Sequence, residues 1–286
     1  MADGSSPSPI VQRRRLRAEL RAARLKAKLT QEQVASALDW SLSKVIRIEA
    51  GSVGISTTDL KALLSVYGID DQEHVDKLVA LGKAARERGW WSNYRDVLST
   101  ELLHLIEYES AAAITRNFEP LLVPGLLQTE EYARAILPDH APADSVESLV
   151  KIRMKRQELL DRPDGPLLFF ILDEAVIRRL VGGKDAMHRQ LVRLVELGRR
   201  PNVTIEVVPF SAGAHPGLRG PFVVLEFPDP EDDDVLYLEN SGGDLISREE
   251  PDQVLPYREA FEQLREISLG PEGSAEYLRE VADGMR

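Results

Sequence analysis

The sequence predicts an α+β protein, with an all-α N-terminal domain followed by a larger domain that has a mixed four-stranded sheet and several helices. Three observations carry that prediction. Residues 29–51 read as two short capped helices joined by a tight turn. Residues 167–172 and 203–208 are apolar strand runs separated by helical segments, and a crossover of that length implies parallel pairing with a right-handed connection. Residues 222–227 and 235–239 flank the turn-rich stretch 228–234 and read as an antiparallel pair.

Within LTQEQVASALDWSLSKVIRIEAG, Thr30 is placed to N-cap the first helix, Ser41 to N-cap the second and Gly51 to end it. Val34, Ala35 and Leu38 share one face of the first helix, Val45 and Ile48 one face of the second. The two apolar stripes close on each other across the turn. Ser43, Lys44 and Arg47 stay outside. A helix held by its inner face, with hydroxyl, ammonium and guanidinium groups on the outer one, has the chemistry to enter a DNA major groove.

The residues LTQEQVA followed by SKVIRIEAG resemble the phage-repressor, or XRE-type, helix-turn-helix, over about residues 12–69. The resemblance implies that Gln31 bonds a phosphate and that Leu42, Ser43 and Arg47 read bases, with Ser41 and Lys44 nearer the DNA backbone. It implies a structural pair between Arg24 and Glu49, and binding to double-stranded DNA as a homodimer on half-sites roughly 34 Å apart. Asp39 stands where the family most often has Gly, yet can adopt the left-handed backbone that the turn requires. Leu42 and Ile46, four apart, form an apolar strip that the core does not need. It either meets thymine methyl groups or packs under the other domain.

Charge divides along the chain. Residues 1–69 hold eleven Lys or Arg against six acids, a net of +5, and the whole chain is −11, leaving −16 for the remainder. A basic head on an acidic body brings the head alone to a polyanion. The absence of cysteine excludes disulfides and thiolate metal sites and suits a reducing cytoplasm. No apolar run reaches about 18 residues and residues 1–9 lack an apolar leader core, so neither a membrane span nor a secretion signal is expected.

In order, residues 1–9 read as disordered and residues 10–69 as the helix-turn-helix DNA-binding domain. That domain opens on a helix whose Leu16, Leu20, Ala23 and Ala27 face inward. Its Arg13, Arg14, Arg15 and Arg17 either contact phosphates or make a solvated face. A helix with Leu60, Leu63, Leu64 and Tyr67 completes the core. Residues 70–88 are expected as a connecting helix, which either links head to body or finishes the head, and residues 89–286 as a regulatory and dimerisation domain. In that domain helices are expected near 101–116, from Thr129, to Asp161, over 174–181, 185–199, 254–267 and 274–283. The segments WWS and EPLLVPGLLQTEEYA resemble the C-terminal domain of WhiJ-like, antitoxin-like regulators of actinobacteria, which occur with a small partner protein.

Candidate chemistry in the body is sparse. Asp173 and Glu174, at the end of a buried strand, either hold a metal or cap the following helix. The five histidines have no ligand spacing, and Gly182-Gly183-Lys184 lacks phosphate-loop spacing and reads as a C-cap turn. The loop 211–220 is the longest flexible connection, and the acidic run 231–234 is a solvated turn or a docking surface for a basic partner. The expectation is therefore a dimeric, sequence-specific transcriptional regulator that is not an enzyme and needs no cofactor or metal. The alternative is an antitoxin-like protein that binds a small partner encoded nearby.

Overall fold

The computed structural model describes residues 9–51, 53–86, 89–139, 142, 144–163, 165–229, 232–239, 245–248 and 250–285. The expectations placed on residues 1–8, His140 and Glu231 lie outside these. The chain forms two compact units, Met1–Ser92 and Asn93–Arg286.

The first unit is all helix: α1 Pro9–Lys26, α2 Gln31–Leu38, α3 Leu42–Glu49, α4 Thr57–Val66 and α5 Gln72–Ala84. Its core is one cluster in which Leu20, Val34, Val45, Leu60, Leu63, Leu64 and Leu78 are all but excluded from water. Helix α5 buries Leu78 and Val79 and packs on α1 and α4, so of its two expected roles it takes that of finishing the head. Two turns are made by non-glycine residues in the left-handed region, Lys28 at φ 58° after α1 and Asp39 at φ 54° after α2. Left-handed backbone costs an ordinary residue about 1–2 kcal/mol, and glycine gives back about 0.5–1 of that through its freer unfolded state. Lys28→Gly is therefore expected to stabilise the unit by about 0.5–1 kcal/mol and Asp39→Gly by less, read as slower hydrogen exchange in α2 and α3.

The second unit contains α6 Thr100–Glu109, β1 Ile114–Glu119, α7 Glu130–Ile136, α8 Val146–Arg156, β2 Leu167–Asp173, α9 Glu174–Arg178 and α10 Lys184–Leu197. It continues with β3 Val203–Val208, β4 Phe222–Glu226, β5 Val235–Glu239, β6 Leu245–Arg248, α11 Pro251–Ile267 and α12 Gly270–Asp283. The architecture is α+β, as expected, but the described sheet has six strands in the order β3-β2-β1-β4-β5-β6 instead of four. β1 pairs parallel with β2 and β2 with β3, while β4, β5 and β6 continue antiparallel from the other side of β1.

β1 lies where a helix was expected to run on to residue 116. Its fully buried positions, Thr115 and Phe118, are three apart and imitate a helical stripe. Pairing on both edges overrides that local pattern. The segment β6 adds the sixth strand by pairing with β5. On one sheet face α10 and α12 cover Leu168, Phe170, Leu172, Ile205 and Val207; on the other α11 lays Val254, Phe261 and Leu264 over Phe118, Phe222 and Val224.

Two further expectations change, and a third changes in part. Helix α9 ends at Arg178, because Arg179 is extended, so Gly182 and Gly183 lead into α10, with Gly183 as its N-cap, and are not the C-cap of α9. The loop 211–220 is pinned: it holds two 3₁₀ turns, and His215 Nε2 lies 3.3 Å from Asp173 Oδ2. A Cβ on Gly217 would come within 2.3 Å of the Phe118 ring, so the loop backbone sits directly on the core. In the acidic run Asp233 is exposed and Asp234 accepts a 2.9 Å bond from Arg258 at the surface, as a solvated turn would, whereas Asp232 is buried.

Candidate nucleic-acid interface

Helix α2 begins with a reciprocal cap: Thr30 Oγ1 accepts from the Gln33 N–H at 3.2 Å and Gln33 Oε1 accepts from the Thr30 N–H at 2.8 Å. The chain then turns through Asp39, and the Trp40 N–H donates back to the Ala35 carbonyl at 2.9 Å. Ser41 Oγ accepts from the Lys44 N–H at 3.2 Å and starts α3. These caps satisfy donors that a helix start otherwise leaves to water.

Helix α3 is amphipathic in the required sense. Val45 and Ile48 are buried, whereas Ser41, Ser43 and Arg47 are exposed. Arg47 Nε donates to the Ser43 carbonyl one turn back at 3.3 Å, which holds the guanidinium along the outer face. Leu42 and Ile46 are also open to solvent, 38% and 42% exposed. Lys44 is committed locally: its Nζ pairs with Asp59 at 3.2 Å and sits 3.7 Å over the Trp40 ring. Neither partner was singled out in the sequence, although Trp40 stands four residues before Lys44, the spacing of helical neighbours.

Gln31, expected to bond a phosphate, also has a partner within the protein. Its Nε2 donates to Glu49 Oε2 at 2.8 Å. Glu49 is the centre of a clamp: Arg24 Nε donates to Oε1 at 2.7 Å and the Tyr67 hydroxyl donates to Oε1 at 2.9 Å. Arg24 also donates from Nη1 to the Leu29 carbonyl at 2.8 Å, tying the turn after α1 to the end of α3. The expected Arg24–Glu49 pair is thus present, and Tyr67, expected only in the core, also donates to the carboxylate. Burial works against the Glu49 carboxylate, but bonds from Arg24, Gln31 and Tyr67 outweigh it and hold its pKa below the usual carboxylate range. The same hydrogen bond raises the pKa of Arg24, while burial and the Glu49 charge push the Tyr67 hydroxyl far up. Arg13, Arg14, Arg15 and Arg17 are half-buried on α1, and Arg13 donates to the Ala85 carbonyl at 3.4 Å.

In the body, Asp173 Oδ1 accepts from the Ala175 N–H at 2.8 Å and caps α9. Glu174 accepts from the Tyr277 hydroxyl at 2.6 Å, the Phe210 N–H at 2.8 Å and Arg178 Nε at 3.1 Å. These carboxylates are spent on the fold, and among the described residues no three His, Asp or Glu side chains gather as metal ligands would. No described helix is long and apolar enough to cross a membrane.

Two family models match the chain. A helix-turn-helix domain matches residues 15–78, and the model described as a domain of unknown function (DUF5753) matches residues 102–280. No curated protein and no solved structure matches.

Proposed function

We propose, from the premise that this chain belongs to the family defined by the domain of unknown function DUF5753 and carries a helix-turn-helix domain, that it is a sequence-specific transcriptional regulator acting as a dimer. The observation that carries this reading is the outer face of α3, where Ser43 and Arg47 stand exposed on a helix whose other side is locked by the Glu49 clamp. In this reading Leu42, Ser43 and Arg47 meet base edges. Ser41 and the braced Lys44 lie nearer the phosphates. Gln31 has a second amide N–H, free to donate to a phosphate while the first stays on Glu49. One small helical head contacts few bases, so selectivity calls for paired half-sites, and the body is assigned to dimerisation and regulatory input.

Arg47→Ala is expected to lower affinity for the selected site and relax one base preference by about 1–3 kcal/mol, while Lys44→Ala weakens all sequences alike. Selection of bound sites from random DNA, followed by titration of both variants on the selected and on scrambled sequence, checks this. Equal losses for both variants on both DNAs would remove the assignment of roles.

A second reading, an antitoxin-like protein whose body holds a small partner encoded nearby, draws on the resemblance to WhiJ-like regulators. It is favoured by Phe210 and Leu218, which are 60% and 66% exposed on the pinned loop between β3 and β4. Repeating the selection with and without the neighbouring gene's product, and testing co-purification, separates the two readings.

A further inference from the structure

A cleft in the N-terminal unit opens between α1, the end of α5 and the loop that follows α3, with a volume of about 360 Å³ including the part open to solvent. Its charged lining residues among those described are Arg13, Arg17 and Arg86, all cations; the rest are apolar or glycine. Arg13 and Arg17 already have partners within the chain. Arg86 differs from them.

Two bonds fix the Arg86 guanidinium: Nε donates to the Gly82 carbonyl at 3.0 Å and Nη2 to Thr57 Oγ1 at 2.8 Å. The first is ordinary for a basic residue at the last turn of a helix, here α5. The second reaches back to the first residue of α4. Holding an exposed arginine in one geometry costs rotamer entropy, yet among the described residues no carboxylate pairs with it. Both N–H groups of Nη1 remain, and Thr57, which accepts from Arg86, keeps its O–H. A fixed cation beside donors alone fits an anion with several acceptor oxygens, as a phosphate has.

The position of this group ties it to α3. The first turn of α4 anchors two cations at once: Thr57 takes Arg86, and Asp59, two residues on, takes Lys44 of α3 at 3.2 Å. Gly51, on the wall of the cleft, follows Arg47 by four residues and so lies about one turn beyond it along the outer stripe of α3. The loop wall is also low. A Cβ added at Gly54 would meet nothing within 4 Å, so the backbone there is open to a close approach.

Building on the reading of the head as a DNA-binding module, we propose that Arg86 and the Thr57 hydroxyl are a seat for one backbone phosphate of the bound duplex. Nη1 of Arg86 and the Thr57 O–H donate to the phosphate oxygens, while Nε and Nη2 stay on Gly82 and Thr57. Such a contact fixes the head on the duplex from the α4 side and carries no sequence information. A residue at the end of α5, outside the two helices of the helix-turn-helix, thereby joins the interface.

The test is DNA binding by the full-length chain, on the selected and the scrambled sequence, between about 50 and 200 mM salt. Arg86→Gln is expected to weaken both by roughly tenfold near 0.1 M, and to make the slope of log affinity against log salt shallower by about 0.9, the share of one phosphate. Base preference stays as in the parent. Arg86→Lys keeps the charge and is expected to keep the slope, so a slope lost in both variants or in neither overturns the proposal. A lower melting temperature of Arg86→Gln with the slope kept assigns Arg86 to the fold and overturns it too, since a smaller folded fraction lowers affinity without changing the slope. Inorganic phosphate at millimolar concentration, without DNA, controls for the other source of this chemistry. If it raises the melting temperature of the parent alone while the DNA slope is unmoved, the seat belongs to a free phosphate and the proposal falls. A parent that binds neither DNA sinks the reading of the head and this seat together, whereas a parent that binds with an unmoved variant slope sinks the seat alone.

Discussion

Glu49→Ala is expected to cost the N-terminal unit about 3–5 kcal/mol, the range for removing one partner of a buried ion pair. The side chains of Glu49 and Arg24 are 4% and 11% exposed, and three donors converge on the carboxylate. Truncation leaves Arg24, Gln31 and Tyr67 without their acceptor in the interior. Hydrogen exchange in α2 and α3 is expected to report the loss directly, and DNA binding to disappear with the fold. Replacing both partners by apolar residues, Arg24→Met with Glu49→Leu, is expected to recover most of the stability, because no charge is then stranded. If Glu49→Ala instead left exchange unchanged and abolished binding, the residue would be a DNA contact and the clamp argument would fail.

The same clamp sets an acid limit. The folded-state pKa of Glu49 lies below its unfolded value, so its contribution is fully present above the ordinary carboxylate pKa of about 4.3. It is lost as pH falls from there through the depressed folded value. The parent unit is expected to lose stability steeply in that window, and the Arg24→Met, Glu49→Leu double variant to show a flatter profile. Parallel profiles would show that other carboxylates dominate acid unfolding.

Arg156→Met is expected to have an effect of similar size in the body. Arg156 Nη2 lies 2.7 Å and 2.9 Å from the two oxygens of Glu109, with Nε at 3.2 Å, and the pair is 10% and 7% exposed. The bond joins α8 to the end of α6, where the chain leaves for β1. The substitution strands the Glu109 carboxylate and is expected to cost about 3–5 kcal/mol. Hydrogen exchange in α8 and β1 checks this, since all three tryptophans lie in the first unit and their fluorescence does not report on the body. Adding Glu109→Leu is expected to restore part of the loss, and a loss below about 1 kcal/mol would show that solvent reaches the pair.

Local chemistry explains why the head was legible. Caps, a left-handed Asp39 and the spacing of Val34, Val45 and Ile48 are all set within a few residues, so caps, turn and inner face appear where the sequence places them. The Arg24–Glu49 pair was legible only through resemblance, since nothing in the spacing of residues 25 apart links them. The Glu49 partner of Gln31 could not be read from the sequence, because nothing local links residues 18 apart.

In the body, the strands expected from apolar runs at residues 167–172, 203–208, 222–227 and 235–239 all form. β1 was not expected, because Thr115 and Asn117 are polar residues in a buried place and Phe118 follows Thr115 at a helical interval. Asp173 and Glu174 were ambiguous for a similar reason. A carboxylate at a strand end suits a metal or a helix cap equally, and only the positions of Ala175, His215 and Tyr277 choose between them.

What residue order alone dictated, then, is whatever neighbours along the chain can enforce: helix starts, the turn between α2 and α3, the inner and outer faces of α3, and the basic character of the head. Pairing of distant segments settled the rest. The six-strand order, the partner of Gln31 and the pinning of the loop before β4 all depend on groups brought together from tens of residues apart. Their free energies come from burial and from which charges meet, quantities that no local window of sequence contains.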